Sequence, residues 1–418
     1  MKIILVRSPF IDIMTGMPIG LAYLQHVLKD AGHEVSIIDF SISVNQHFNF
    51  SSKQFNRNFE LNKDHPAYDY AYRQIDSYCQ EISKRNPDVV GFHLSYSTVD
   101  FACKMAEKLR VTNVRLIAGG PEATHRAEYL QNLEIFDAIV QGYGEEAVLC
   151  AIRKIIGIIE APLIKNKDYR PDFTGVEHEN YDGRIPIVTT RGCPRKCTFC
   201  TQHFPYFYHS IESVVDQIEN APPDCGIILN DSNLNFNPKR TRKLFEAIGQ
   251  VIGERHVHAF GLEISPHFEN YIEQFALCRI VEARVGIESG SPSVRKAMNK
   301  HSFKNLDVRR MVQAMTSCGS TVWAQFILCY PSETDDDRKQ TLELMHQISQ
   351  ENPEGLVKIF WYRFVVHHGT EDYFKERFRI TAPEGIRDWI SPCHTKDHVM
   401  EIAERMRPKL PDNAVVYL

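Results

Sequence analysis

The chain has 418 residues, 43% of them hydrophobic and 24% charged, so it is too long for one ordinary domain and normal in composition for a protein with a large core. Its formal charge of −5 excludes the broad basic field that draws proteins to nucleic acid or anionic membranes. No apolar run approaches the roughly 18 residues needed to span a bilayer.

Residues 1–155 alternate short apolar runs with amphipathic stretches. The runs are IILV (3–6), VSII (35–38), DVVGF (88–92), VRLIAGG (114–120) and DAIVQG (137–142). Between them, segments such as GLAYLQHVLKDAG (20–32) repeat leucine at helical spacing and end on Gly32, a helix C-terminal signal. Continuous apolar strands alternating with helices predict a doubly wound parallel sheet, a Rossmann-like α/β domain. Ligands on such sheets sit at the carboxyl ends of the strands. Small residues gather at those ends: Ser95 and Thr98 in SYST, then Gly119, Gly120, Gly142 and Gly144. A polar insert, residues 45–70, interrupts the pattern and reads as a surface loop or lid.

Residues 156–180, with Pro162 and Gly175, read as a linker. A second alternating series spans 181–370. Its expected strands are 185–190, 226–230, 257–263, 283–289, 322–328 and 357–365, and six such units predict a partial barrel of the (β/α)6 type. The charged tail, 371–418, reads as short helices packed on the barrel edge.

Eleven cysteines are present. Most are scattered singly and read as buried reduced thiols. No export signal is read at the start, where Lys2, IILV and Arg7 follow Met1, so the expected compartment is a reducing cytoplasm without structural disulfides. The exception to the scatter is RGCPRKCTFC (191–200). It puts Cys193, Cys197 and Cys200 on one loop, with Gly192 and Pro194 bracketing the first. Thiolates are soft ligands for zinc or iron–sulfur iron. Three of them fit a 4Fe–4S cluster with one iron left open for a small molecule. They also fit zinc completed by a distant side chain, with His203 and Cys225 the nearest candidates, and plain thiols remain a third reading.

The C-x3-C-x2-C spacing with Phe199 before the last cysteine resembles the radical S-adenosylmethionine enzymes. GIESGSPSVRKAMNK (286–300), FILCYPSET (326–334) and VHHGTEDY (366–373) resemble the fourth-, fifth- and sixth-strand segments of that family. In the first half, MPIGLAYLQHVLKDAGHEVSIID, AGGPEAT and VQGYGEEA resemble the cobalamin-binding domain of cobalamin-dependent members.

The resemblance implies a 4Fe–4S cluster on Cys193, Cys197 and Cys200. Its open iron would bind S-adenosylmethionine, and one electron would cleave that molecule to methionine and a 5′-deoxyadenosyl radical. Phe199 would lie near the adenine and Glu288 would accept the ribose hydroxyls, with Asp231 and Gln325 as further ligand contacts. Cobalamin would lie against Ser95, Thr98, Gly119, Gly120, Gly142 and Gly144. The activity implied is methylation of an unactivated carbon or a phosphinate phosphorus in a small-molecule substrate, with an external reductant of the flavodoxin or ferredoxin type. A radical cyclisation or rearrangement without methyl transfer is the alternative, and a zinc module without chemistry the third. Two departures stand out. D-x-H-x-x-G, whose histidine binds cobalt from below in many cobalamin domains, is absent, and His93 in GFHLSYS reads as a satisfied core histidine. Where relatives carry arginines after the cluster motif, this chain has TQHFPYFYHS (201–210), read as a different site lining or as packing between domains. Oligomeric state is not readable from the chain.

Overall fold

The computed structural model describes residues 1–9, 16–48, 65–153, 155–162, 164, 169–381 and 396–417. It divides into two compact units, Met1–Arg184 and Ile185–Leu418.

The first unit is built on a six-stranded parallel sheet: β1 (Lys2–Arg7), β2 (Glu34–Asp39), β3 (Val89–His93), β4 (Arg115–Gly119), β5 (Ala138–Gln141) and β6 (Gly157–Glu160), in the order β2-β1-β3-β4-β5-β6. Successive strand residues point to opposite faces, and both faces are covered. Ile3, Leu5, Val35 and Val89 pack with Leu21, Leu28, Ala147 and Val148 of helices Ile19–Asp30 and Gly144–Ala151. Ile4, Val6, Val90 and Phe92 pack on the other side with Phe101, Ala102 and Met105 of helix Val99–Leu109. The connection after β1 therefore runs over one face and that after β3 over the other. Their divergence opens a crevice at the carboxyl edge between β1 and β3.

The stretch 156–180 is more than the linker it resembled, because Gly157–Glu160 adds the sixth strand. As an edge strand it is only partly buried, which leaves it without a strong apolar pattern. Beyond it, the Asp172 carbonyl accepts from Gln25 Nε2 at 2.9 Å and the Asp172 carboxylate pairs with Lys29 at 2.7 Å. Of the 45–70 insert, 49–64 lie outside the described residues. Its ends belong to helices Ser41–Phe48 and Pro66–Arg73.

In the second unit β7 (Arg184–Ile187) leads into a ribbon, β8 (Thr190–Arg191) with β9 (Phe207–Tyr208), so the expected strand 185–190 breaks before Thr190. The parallel strands continue with β10 (Gly226–Asn230), β11 (Val257–Glu263), β12 (Ile280–Glu288), β13 (Thr321–Leu328), β14 (Val357–Arg363) and β15 (Ala414–Tyr417). They form one sheet in the order β15-β14-β13-β12-β11-β10-β7. The tail thus supplies an edge strand, paired in parallel with β14, besides helices Glu371–Phe378 and Lys396–Met406. Residues 382–395 lie outside the described residues. Helices such as Pro238–Val251, Asn305–Ser317 and Asp335–Gln350 cover one face. On β13 that face carries Val322, Ala324, Phe326 and Leu328, all fully buried, whereas Trp323, Gln325 and Ile327 alternate toward the lumen and are only partly buried.

Candidate active site

The three-cysteine loop leaves the barrel at the carboxyl end of β7. Antiparallel pairing of Thr190 with Tyr208 and Arg191 with Phe207 closes its neck. Gly192 turns inside that neck at φ +65°, and a Cβ there would lie 2.5 Å from the carbonyl oxygens of Phe204 and Pro205. Gly192→Ala therefore strains both the backbone dihedral and the neck, at about 1–3 kcal/mol. The expected result is a lower melting temperature and less iron retained after anaerobic reconstitution, and unchanged values of both would refute this role.

Asp231, just after β10, faces the strand that leads to this loop. It is buried, and its Oδ1 accepts from Thr189 N and Thr190 N while Oδ2 accepts from Thr189 Oγ1, all at 2.7 Å. With both oxygens engaged it serves the loop neck, in contrast to the ligand contact expected from sequence. Burial pushes its carboxyl up to about 6 against the pull of those donors. The folded carboxyl holds its proton more tightly than the unfolded one. Wild-type stability relative to Asp231→Asn accordingly falls as pH rises from about 4 to about 6, by at most about 3 kcal/mol. Urea titrations of both proteins across that range measure it, and a pH-independent difference would contradict it.

Along the loop, Cys193 and Cys200 are partly buried and Cys197 is buried; all three thiols are free. Asn233 Nδ2 lies 3.8 Å from Cys193 Sγ, and the Gln202 amide donates to Cys200 Sγ at 3.4 Å. Such N–H···S contacts are typical around iron–sulfur sulfurs. Burial pushes the Cys197 thiol up to about 11, opposed by Lys300, and raises Cys200 in the same direction. Phe199 is partly buried between them. The two candidates for a fourth zinc ligand fall away. His203 Nε2 lies 3.1 Å from the Cys197 carbonyl, and Cys225 precedes β10, at the amino end of the barrel. Among the described residues no three His, Cys, Asp or Glu side chains converge on a single-ion position.

The motif segments hold this loop in place. Thr198 N donates to the Met298 carbonyl at 3.1 Å, Thr198 Oγ1 lies 2.8 Å from Tyr330 OH, and Asn299 Nδ2 donates to the Lys196 carbonyl at 2.8 Å. Glu333 fixes the turn after β13 by accepting from Cys329 N at 2.8 Å, and burial pushes its carboxyl up to about 7. Glu288 ends β12 in the left-handed region, at φ +67°. Its Oε1 accepts from Lys300 Nζ at 2.7 Å. The missing side chain of Gly286 makes room for this pair, since a Cβ there would lie 2.5 Å from Glu288 Oε1 and 2.8 Å from Lys300 Nζ. Arg195 forks onto Glu263 at 2.9 and 2.8 Å, and Glu263 also accepts from Asn233 Nδ2 at 2.9 Å. A cavity of about 330 Å³ opens between these groups, lined in part by Arg195, Glu263, Lys300 and His301.

Gln325 pairs in register with Gly286 and Phe360 and projects into the lumen. One layer below it lies a floor that sequence reasoning missed. Arg284 is sandwiched between the rings of Phe260, at 3.8 Å, and Trp323, at 4.4 Å. Trp323 stacks on Phe360 with centroids 4.7 Å apart. Glu282 accepts from Arg284 Nε at 2.7 Å and lies 3.4 Å from His258 Nδ1. Charged and aromatic residues alternating with small apolar ones in EARVGIE and VWAQ were the available signal. Of the aromatics in TQHFPYFYHS, Tyr206 stacks edge-on with Tyr208 and Phe236, and Arg240 lies 4.5 Å over Tyr208, all within the second unit.

In the first unit, Arg7, Asp39, His93 and Gly119 end β1, β2, β3 and β4 in mutual register. By strand alternation all four side-chain positions point to the face carrying helix Ile19–Asp30. Arg7 pairs with Asp39, and Tyr181 OH donates to the same carboxylate at 2.6 Å. Gly120 (φ +101°) and Gly142 (φ +97°) follow β4 and β5, and a Cβ on Gly120 would lie 2.7 Å from the Leu94 carbonyl. Ser95 is partly buried, with its hydroxyl 3.1 Å from Thr98 Oγ1. Thr98 is buried and used locally, accepting from Ser95 N at 2.9 Å. Gly144 lets its helix approach Leu24, 3.1 Å from where a Cβ would be. Thr98 and Gly144 are thus scaffold positions, and Ser95, Gly119, Gly120 and Gly142 line the edge.

A radical SAM superfamily model matches residues 187–345, and a B12 binding domain model matches residues 14–151. The chain belongs to the cobalamin-binding radical S-adenosylmethionine enzymes. Within this family it is 26% identical over 402 residues to an uncharacterised methyltransferase of Pyrococcus horikoshii, covering 83% of this chain and 78% of the relative. It is 23% identical to the cytidylyl-2-hydroxyethylphosphonate methyltransferase of Streptomyces wedmorensis, covering 75% and 69%. Among solved structures it resembles the radical S-adenosylmethionine methyltransferase TsrM of Kitasatospora setae, with cobalamin and a 4Fe–4S cluster bound. The TM-score is 0.69 at 15% identity, over 96% of this chain and 84% of that one, a likeness of fold.

Membership in the cobalamin-binding radical S-adenosylmethionine enzymes brings a 4Fe–4S cluster, S-adenosylmethionine and cobalamin as cofactors. The residues fit them. Three free thiols share one loop, and among the described residues no fourth protein ligand lies beside them. The first unit offers glycines at strand ends, and among the described residues His93 Nδ1 is buried there without a hydrogen-bond partner. Among the described residues no helix is long and apolar enough to cross a membrane.

Proposed function

We propose that this enzyme is a cobalamin-dependent methyltransferase acting on an unactivated carbon, or a phosphinate phosphorus, of a small molecule. The observation that carries the reading is one chain holding both a three-thiol loop, without a fourth ligand among the described residues, and a parallel sheet whose carboxyl edge is lined by glycine. When bound, the cluster supplies the electron that cleaves S-adenosylmethionine, and cobalamin supplies the methyl group. Cys193, Cys197 and Cys200 hold the cluster, and the Asn233 and Gln202 N–H groups support its sulfurs. Glu288 keeps Oε2 for the ribose hydroxyls while Lys300 holds Oε1, and Phe199 lies against the adenine. Gln325 rises from the lumen above the Arg284 floor and faces bound ligand. Ser95, Gly119, Gly120 and Gly142 receive the cobalamin edge. The electron comes from an external flavodoxin- or ferredoxin-type donor in a reducing cytoplasm.

The experiment is anaerobic incubation with S-adenosylmethionine and a reductant, with and without cobalamin and in the presence of candidate small molecules. Deoxyadenosine together with S-adenosylhomocysteine, both dependent on cobalamin, and a product heavier by one methylene unit are expected for methylation at carbon. Deoxyadenosine alone, with no gain in product mass, would replace methyl transfer by a cyclisation or rearrangement.

A further inference from the structure

Residues 239–243 of the second unit read KRTRK, four cations in five positions. They open helix Pro238–Val251, whose first turn holds no acidic residue. The amino end of a helix carries positive partial charge, so cations there lower its stability. Elsewhere the chain does the opposite, and helix Asp335–Gln350 begins on three aspartates. Arg240 has a local reason for its place, because its guanidinium donates to the carbonyls of Thr189 and His209, both at 2.9 Å. Lys239, Arg242 and Lys243 have no such reason. All three are exposed, and among the described residues none of their side chains forms an ion pair.

The patch borders the three-thiol loop. Thr189 and His209 flank the loop neck, so Arg240 ties the start of the helix to it. Phe236 stands just before the helix cap Asn237 and is 37% exposed. Arg195, between Cys193 and Cys197 on the loop, lies 5.0 Å over its ring. Asp231 and Glu263 bring no free negative charge here, since Asp231 holds the neck and Glu263 is shared by Arg195 and Asn233. In a chain of net charge −5, the loop is thus bordered by a cationic surface with an exposed aromatic ring.

We propose that this surface docks the external electron donor, a small redox protein with an acidic face, of the flavodoxin or ferredoxin type. The inference rests on the proposed radical chemistry, which needs one electron at the three-thiol loop to cleave S-adenosylmethionine. The donor is oxidised by one electron and the cluster is reduced by one. Complementary charge speeds the encounter and sets its orientation, and Phe236 adds an apolar contact at the loop itself.

The test measures association of an acidic flavodoxin and, separately, an acidic ferredoxin with the full-length protein at low and high salt. Lys239→Glu with Lys243→Glu is expected to slow association at low salt by about tenfold or more, with the difference shrinking as salt rises. Donor-driven formation of deoxyadenosine should fall in step, while formation driven by dithionite stays at the wild-type level. The variant should melt no lower than wild type, because glutamate suits that end of the helix, so lost docking is not lost folding. Equal association of variant and wild type, or no binding of either donor to wild type, overturns the docking assignment. So does a loss of the dithionite-driven reaction alongside the donor-driven one, or a variant that loses binding of bulk tRNA but not of the donor. Wild-type protein that forms no deoxyadenosine even with dithionite overturns the radical reading instead.

Discussion

Cys197→Ala is expected to yield a colourless protein that forms no deoxyadenosine from S-adenosylmethionine, whereas the reconstituted wild type is brown and holds about four irons per chain. The physical reason is the ligand count. Three thiols serve the loop, and the side chains that could substitute are committed elsewhere or distant: His203 faces the Cys197 carbonyl, and Cys225 lies at the other end of the barrel. Cys197 is also the most enclosed of the three, so water does not readily take its place. The fold should survive, because the loop neck is held by β8–β9 pairing and by Asp231 rather than by the thiols. The measurement is iron content together with circular dichroism. A folded variant that still holds about four irons would remove the cluster assignment. Colourless wild-type protein containing zinc would do the same.

Glu288→Ala is expected to have the next largest effect, and it should act on stability and on ligand binding at once. The Glu288 and Lys300 side chains are only 12% and 15% exposed. Removing one partner leaves the other charge stranded in a poorly solvated site, at a cost of about 3–5 kcal/mol. Replacing both charges by apolar groups of similar volume is far milder, so Glu288→Leu with Lys300→Met should recover most of that loss. The double variant should not recover affinity for S-adenosylmethionine, because the Oε2 acceptor for the ribose is gone. A lost hydrogen bond to a charged group is worth about 1.5–3 kcal/mol, or roughly 10- to 150-fold in Kd. Denaturant titration and equilibrium binding of the three proteins, wild type, Glu288→Ala and the double variant, separate the two effects. Affinity restored along with stability would assign Glu288 a structural role alone.

Much of this was legible before any coordinates. A parallel strand buried on both faces is written as a continuous apolar run, so IILV, DVVGF and GIILN declared themselves and the α/β order followed. Three thiols within eight residues, the first of them between a glycine and a proline, are too unusual a local pattern to miss. What escaped were features with no local signature. β6 and β15 are edge strands with one neighbour each, and half-buried edges need little apolar sequence. Asp231 looks like any carboxylate at a strand end until Thr189 and Thr190 are brought to it across some forty residues of chain.

The amino-acid sequence by itself determined the two α/β units, the three-thiol loop and the family to which the chain belongs. These rest on periodicity and on short motifs whose residues are neighbours along the backbone. Only the tertiary structure decided which polar groups are already spent and which are left over. Glu288 is half-committed to Lys300 and Asp231 fully to the loop neck, while among the described residues His93 Nδ1 has no hydrogen-bond partner. Whether a polar atom is satisfied depends on donors and acceptors brought from distant strands and on the exclusion of water between them, and both come into being only when the sheet closes.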